Sequence, residues 1–193
     1  MSEASSKKMK FSIFSLCTCA FFAALVCVCT LLYIPLPIGY FNLGDIALLV
    51  SVWFAGPVWG TVAAALGSAL ADIISGYVVY APATLVIKAL MALCAYFVAF
   101  GLKKMARNFV LDGVVQVIAA VCAELVMVGG YLFYEAIILG LGAGAFVSIA
   151  GNALQGACGV VGGVTLILTL KRTGIKEKLL RSVGHEKKQK NKV

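Results

Sequence analysis

The sequence predicts an all-α membrane protein with six transmembrane helices and both termini in the cytoplasm. The first observation is composition: 62% of the 193 residues are apolar, 12% are charged, and the mean hydropathy is +1.03. A soluble domain is nearer half apolar and a quarter charged, so water does not suit most of this surface. The second is the almost continuously apolar stretch of residues 11–164, which has room for six helices of about 20 residues. The third is where the basic residues lie.

The basic residues fall in three segments that six helices would place on one side of the membrane. Fifteen of the 16 lie in residues 7–10, 103–107 and 171–192, and the sixteenth is Lys88. Loops rich in lysine and arginine face the cytoplasm, and anionic lipid attracts basic segments beside a membrane. We therefore expect membrane lipid, and no nucleic acid, as the partner of the tail. The expected parts are a cytoplasmic segment 1–10, a transmembrane domain 11–170 and a basic cytoplasmic tail 171–193.

Prolines and glycines mark the ends of the predicted helices. Pro35 and Pro37 exclude a helix after the first span and predict an outer loop, whereas Gly56 and Pro57 predict a tight inner turn. Two further outer loops are expected at residues 75–81 and around the glycines of 140–144. The predicted helices cover residues 11–32, 43–54, 58–74, 82 to the basic loop at 103, 110–138 and 145–170.

Polar side chains inside the predicted spans indicate a cavity. Lys88, Glu124, Asn152 and Gln155 lie about 9–16 Å along their helices from the outer ends, at about 1.5 Å per residue. An ionisable group at such depth costs about 2.5–3.5 kcal/mol or more, so it lines a cavity or finds a partner. These groups predict one polar cavity that opens outward. Its cover is expected from aromatic residues of the outer loops, namely Tyr40, Phe41, Tyr77 and Tyr80.

A structural explanation of the same residues stays open. Lys88 could pair with Glu124 or Glu135 and simply tie helices together. Asp45 is expected in the first turn of the second helix, where a carboxylate suits the helix dipole, and Asp72 near the membrane interface. For Asp45 and Asp72 a structural role is expected rather than ligand contact.

Several blocks of sequence resemble the substrate-binding (S) components of energy-coupling-factor (ECF) vitamin transporters. They are residues 39–45 (GYFNLGD), 54–57 (FAGP), 67–72 (GSALAD) and 80–88 (YAPATLVIK), with Gly151, Asn152 and Gln155 in the sixth helix. The resemblance covers essentially the whole chain. It is closest to the riboflavin-type branch, which also holds hydroxymethylpyrimidine and pyridoxine binders.

The resemblance implies a six-helix protein that binds a small water-soluble vitamin from outside, without a cofactor, and passes it to a transmembrane coupling (T) protein and two ABC-type ATPases. It also implies that Ala20 and Ala24, an AxxxA pair on the first helix, face the coupling protein. Lys88 would meet an anionic or acceptor group, and Glu124 a ring hydroxyl or a protonated ring nitrogen. The candidate substrate-binding residues are Tyr40, Phe41, Asn42, Tyr80, Lys88, Glu124, Tyr131, Asn152 and Gln155.

Other function classes fit the sequence less well. The chain has no GxxxxGK[ST] motif, so ATP hydrolysis is assigned to partners, and no histidine lies in a span to activate a serine. No metal site is expected, because Cys17 and Cys19, two residues apart, point about 200° apart on a helix. The remaining alternative is a self-sufficient secondary transporter driven by protonation of Glu124 or Glu135.

Overall fold

The computed structural model describes residues 13–35 and 40–179, and the side chains of Pro35, Tyr40 and Phe41 are not described. Five long helices are joined by short connections, and each is long and apolar enough to cross a membrane when α4 is counted to Ile138 and α5 from Gly142. The helices are α1 (Ile13–Leu31), α2 (Gly44–Ile74), α3 (Ala81–Gly101), α4 (Phe109–Phe133) and α5 (Phe146–Thr173). Between them lie strands β1 (Tyr33–Pro35) and β2 (Tyr40–Asn42), 3-10 turns at Lys103–Met105 and Gly142–Ala145, and a π turn at Tyr134–Ile138.

The chain reverses direction inside α2. Gly56 has φ 82° and ψ −173°, a left-handed region that favours glycine, and Pro57 begins the second arm without needing a hydrogen-bond acceptor. A Cβ added to Gly60 would lie 2.6 Å from Val52 Cα and 2.9 Å from the Ser51 carbonyl oxygen. Residues eight apart on a continuous helix are about 12 Å apart, so this contact requires the two arms to fold back on each other. The predicted turn at Gly56 and Pro57 is confirmed.

The fold-back gives six helical segments among the described residues, but it does not establish six spans. The first arm, residues 44–55, reaches only about 18 Å, whereas the hydrocarbon core of a bilayer is about 30 Å thick. Five helices meet the length needed to cross. The chain is therefore an all-α membrane protein, and the count of six spans stays a prediction.

Small residues let the helices approach closely. Gly67 of α2 packs on α1, where an added Cβ would lie 2.9 Å from Val26 Cβ and would also meet the Ala23 carbonyl oxygen. Gly130 of α4 faces Ile87 of α3 in the same way, with 3.0 Å to its nearest side-chain atom. Backbones in contact gain dispersion energy, which matters most where lipid removes the hydrophobic drive between helices.

The two ends of the bundle differ in charge. At one end the Lys171 ammonium pairs with Asp112 at 2.7 Å, and Lys176 donates to the Trp53 carbonyl oxygen at 2.6 Å, which places the tail beside the Gly56 turn. The β1–β2 hairpin, the 75–80 loop and the π turn lie at the opposite end, whose connecting segments hold no lysine or arginine. The prolines predict a loop at 33–42, and the backbone instead pairs there as two antiparallel strands. The basic segments at 7–10 and beyond 179 lie outside the described residues.

Candidate functional site

A cavity of about 210 Å³ lies at the hairpin end, between α2, α3, α4 and α5. All but one of its lining residues have a polar side chain, which is unusual for the interior of a membrane bundle and requires a physical reason. The lining residues are Thr30, Asn42, Ser68, Asp72, Tyr77, Tyr80, Thr84, Lys88, Tyr131, Glu135, Ser148, Gly151, Asn152 and Gln155.

A buried ion pair forms the floor of the cavity. The Lys88 ammonium donates to Asp45 Oδ1, and the two residues are 5% and 1% exposed. The other Asp45 oxygen accepts from the Gln155 amide nitrogen at 2.6 Å. The Met127 sulfur lies 3.3 Å from the Lys88 nitrogen, so the remaining surroundings of the ammonium are soft and apolar.

This pairing corrects the expected partners of Lys88. Neither Glu124 nor Glu135 holds the ammonium. Asp45 does lie in the first turn of its helix as expected, yet its carboxylate faces inward and carries the ion pair. The helix dipole explains only part of its position.

The hairpin is tied to the same floor through two amide side chains. Gln155 Oε1 accepts from the Asn42 side chain at 3.0 Å and from the Asn42 backbone N–H at 3.3 Å. Asn42 Oδ1 in turn accepts from the Gly44 backbone N–H at 2.9 Å, at the start of α2. A continuous row of hydrogen bonds therefore runs from Asn42 through Gln155 to Asp45 and Lys88. We call these four residues the polar row.

Hydroxyl groups connect α3, α4 and α5 on the opposite wall. Thr84 and Tyr131 share a hydrogen bond of 2.9 Å. Glu135 sits in the π turn, a widened turn that is common at functional sites, and accepts from the Ser148 hydroxyl and, at 3.4 Å, from Tyr80. Burial, together with the Glu135 carboxylate, raises the pKa of the Tyr80 phenol. Tyr80 is therefore a hydrogen-bond donor throughout the physiological range.

Tyrosine rings close the outer part of the cavity. Tyr77 and Tyr80 meet edge to face with ring centres 6.4 Å apart, and Tyr80 and Tyr134 do so at 5.7 Å. The Tyr134 hydroxyl donates to the Val79 carbonyl oxygen at 2.5 Å, which fastens the 75–80 loop to the π turn. A planar ligand could stack on these rings.

Two carboxylates near the floor have oxygens without a hydrogen-bond partner among the described residues. Asp72 lines the cavity, and its Oδ2 is buried and unpartnered. Glu124 is 5% exposed, both of its oxygens are unpartnered, and it does not line the cavity. It packs instead on Gly156 and Gly159 of α5, where a Cβ on Gly159 would meet Glu124 Oε1.

Most of the candidate residues taken from the sequence meet at this cavity. Six of them line it: Asn42, Tyr80, Lys88, Tyr131, Asn152 and Gln155. Glu124 lies elsewhere, and the side chains of Tyr40 and Phe41 lie outside the described part of the chain. The sequence reasoning missed Ser68 and Thr84, each four residues before a charged lining residue on the same helical face, and that spacing could have found them.

A second cavity of about 280 Å³ lies at the basic end. Its wall is mainly apolar and aromatic, with Trp53, Tyr96 and Phe100, and its polar members are Gln116, Lys103 and the Asp112–Lys171 pair. Although this cavity is larger, Asp112 and Lys171 are already bonded to each other, and fewer of its lining residues are polar than in the first cavity. The polar cavity is therefore the candidate ligand site.

Comparison with known proteins agrees with this architecture. The family model described as "ECF-type riboflavin transporter, S component" matches residues 10–172. A curated protein from Pyrococcus woesei, described as an uncharacterized protein in gap 3′ region, is 34% identical over 148 residues, which cover 75% of this chain and 93% of that protein. The chain therefore belongs to the family of ECF-type riboflavin transporter S components.

Proposed function

We propose that this vitamin-transporter component binds a small water-soluble vitamin or vitamin precursor in the polar cavity. The observation that carries the proposal is the enclosed polar wall with tyrosine rings above it, inside a bundle that otherwise faces lipid. Such a wall costs free energy unless something polar fills it. The site residues and the identity of the ligand are both part of the proposal.

The size of the cavity favours a ligand with one ring. Sites for drug-sized ligands enclose about 300–1,000 Å³, whereas this cavity measures about 210 Å³. A pyridine or pyrimidine compound such as pyridoxine or hydroxymethylpyrimidine suits that volume better than the three fused rings of riboflavin. Riboflavin remains the second choice because of the family.

The hydrogen bonds within the site suggest which residues contact the ligand. Asn42, Gln155 and Lys88 already bond to one another or to Asp45, so they hold the floor in place. The side-chain amide of Asn152 lines the cavity without a hydrogen bond to any described residue. It therefore offers both a donor and an acceptor to a ligand. We assign direct ligand contact to Asn152 and stacking to Tyr80 and Tyr131.

We further propose that the chain works with a T protein and two ABC-type ATPases in the plasma membrane, with both termini in the cytoplasm. Ala20 and Ala24 are exposed on α1, while Phe22 and Val26 face the bundle. That outward stripe of small residues suits close contact with another helix. The basic segments at 103–107 and 171–178 support a cytoplasmic C-terminus.

Calorimetric titration of the purified chain against soluble vitamins tests the binding role. We expect one compound to bind tightly, Asn152→Leu to weaken it at least about tenfold, and Asn108→Leu, at the far end of α4, to leave it unchanged. If no vitamin gave a heat of binding, the result would contradict the binding role. Uptake that needs the co-expressed ATPases would support the coupling module.

A proton-coupled transporter is the second candidate, because Glu124 is buried without a partner among the described residues. Intramembrane carboxylates of this kind serve proton relays. That function requires uptake by the chain alone, collapsed by an uncoupler and by Glu124→Gln. ATPase-dependent uptake that resists the uncoupler would exclude it.

A further inference from the structure

The charges around the polar cavity do not balance. Asp72 and Glu135 lie at its wall, Asp45 lies at its floor, and Lys88 is the single basic residue there. Glu124 lies beside Asp45 but outside the wall. No other lysine or arginine occurs between residues 11 and 102 or between residues 108 and 170. With Asp45, Asp72 and Glu135 ionised and Lys88 protonated, the wall and floor carry two excess negative charges.

Lys88 is already paired with Asp45 and offsets the charge of Asp72 only in part. Its ammonium is held by Asp45 beneath the cavity, with Met127 and Met91 sulfurs at 3.3 and 3.9 Å. Together with Gln155, which donates to the other Asp45 oxygen, this makes a satisfied and neutral unit. A ligand anion would have to break that unit and would face Asp72 and Glu135 as well. Anionic ligands are therefore disfavoured.

Asp72 and Glu135 receive only neutral donors. Glu135 is 8% exposed and accepts from the Ser148 and Tyr80 hydroxyls, neither of which removes its charge. Asp72 receives the neutral Thr84 hydroxyl, and its Oδ2 is buried with no donor in the described part of the chain. A carboxylate in such surroundings is costly unless a positive charge comes near, because desolvation is repaid only by an opposite charge and hydrogen bonds.

The remaining wall is also suited to a cation. The tyrosines at 77, 80 and 131 surround the cavity, and the faces of aromatic rings attract positive charge. Lys88 itself lies 5.9 Å from the centre of the Tyr131 ring. Carboxylates combined with tyrosine rings are a typical arrangement for an organic ammonium or a charged heteroaromatic nitrogen.

We propose that the ligand of this site is an organic cation with a single ring, whose protonated or quaternary nitrogen is held by Asp72 and Glu135. The inference rests on the proposed binding function and narrows its ligand class. It separates this chain from a binder of neutral three-ring vitamins.

Matched ligand pairs that differ in charge test the inference on the full-length protein. Calorimetry would compare 1-methylnicotinamide with nicotinamide and pyridoxamine with pyridoxine, beside thiamine as a further cation and riboflavin as a neutral reference. 1-Methylnicotinamide and the thiazolium ring of thiamine have quaternary nitrogens, so their positive charge does not depend on pH. We expect the tightest ligand to be a cation with one ring, and the cation of each matched pair to bind at least about tenfold more tightly than its neutral partner.

Two isosteric variants locate the effect. Asp72→Asn and Glu135→Gln should each reduce the cation preference, which is the ratio of the two affinities, about tenfold or more. Asp112→Asn, which replaces a carboxylate at the opposite end, should keep the preference. Thermal unfolding of each variant checks that it is folded, and the wild-type comparison alone already tests the ligand charge.

The outcomes separate the inference from the function beneath it. Tight binding of a neutral vitamin, with its cationic partner equal or weaker, would overturn the inference and leave the binding role in place. If no compound of either charge gave a heat of binding, the binding role would be overturned, and the inference with it.

Discussion

Removing one member of the Asp45–Lys88 pair should destabilise the protein far more than removing both. The two residues are 1% and 5% exposed, so neither charge is compensated by water once its partner is gone. Loss of one member of a buried pair costs about 3–5 kcal/mol, because the other charge remains buried and unpaired. Lys88→Met and Asp45→Asn should each show a loss of this size.

The double variant Asp45→Asn/Lys88→Met should recover most of that loss. Methionine resembles the lysine stem in volume, and the space around the Lys88 nitrogen is already bounded by the Met91 and Met127 sulfurs. Replacing a whole buried pair is often close to neutral. Asparagine keeps an acceptor for the Gln155 amide, so the polar row loses little else.

Thermal unfolding in one detergent, followed by tryptophan fluorescence, measures the effect. For a chain of this size about 1 kcal/mol shifts the Tm by about 2–4 °C, so each single variant should fall by about 6–20 °C. Lys171→Met, which breaks the half-exposed pair with Asp112, is the matched control and should cost at most about 1 kcal/mol. Losses that simply add in the double variant would refute the coupling of Asp45 and Lys88.

Three other sites give further tests by the same measurements. Gly159→Ala would press a methyl group against the Glu124 carboxylate and should lower the Tm. At Gly129 the new carbon would have no atom of another described helix within 4 Å, so Gly129→Ala should gain up to about 1 kcal/mol of helix propensity, and equal shifts for the two variants would contradict the close packing. Glu124→Gln removes a carboxylate without a described partner, so the Tm should stay or rise, and a clear fall would reveal a missing partner. Burial lowers the pKa of Lys176, which lies 5.0 Å from the Trp53 ring centre, so its charge is lost at a lower pH than that of an ordinary lysine. Tryptophan emission should change at that pH in the wild type, and the same change in Lys176→Met would assign it to another group.

The helices follow from the sequence because their signals are local. Apolar length, proline and glycine decide where a spanning helix begins and ends, and Gly56 with Pro57 marks the reversal in α2 directly. Pro82 lies in the first turn of α3 for the same local reason. The strand pairing at the hairpin was not foreseen, since two three-residue strands give no periodicity to read.

The sequence predicts the polar cavity only from the depth of polar residues along their helices. Counting residues from the helix ends places Lys88 about 9 Å and Glu124 about 16 Å deep, both in the outer half of the bundle. Depth does not show in which direction a side chain points. Glu124 turns toward the glycines of α5, and Lys88 finds Asp45, 43 positions earlier in the chain. That partnership depends on how the first arm of α2 lies against α3, which is a tertiary fact.

The polar row connects the β1–β2 hairpin to the buried ion pair, and its hydrogen bonds from Asn42 to Asp45 run in one direction. The carbonyl end of the Gln155 amide points to the hairpin and its nitrogen end to Asp45, so a half-turn of that amide would set donor against donor at Asn42 and oxygen against oxygen at Asp45. If the hairpin moved away, the Gln155 carbonyl would lose both of its donors at once. Movement of the hairpin and loosening of the Asp45–Lys88 pair would then be coupled through residues on α2, α3 and α5.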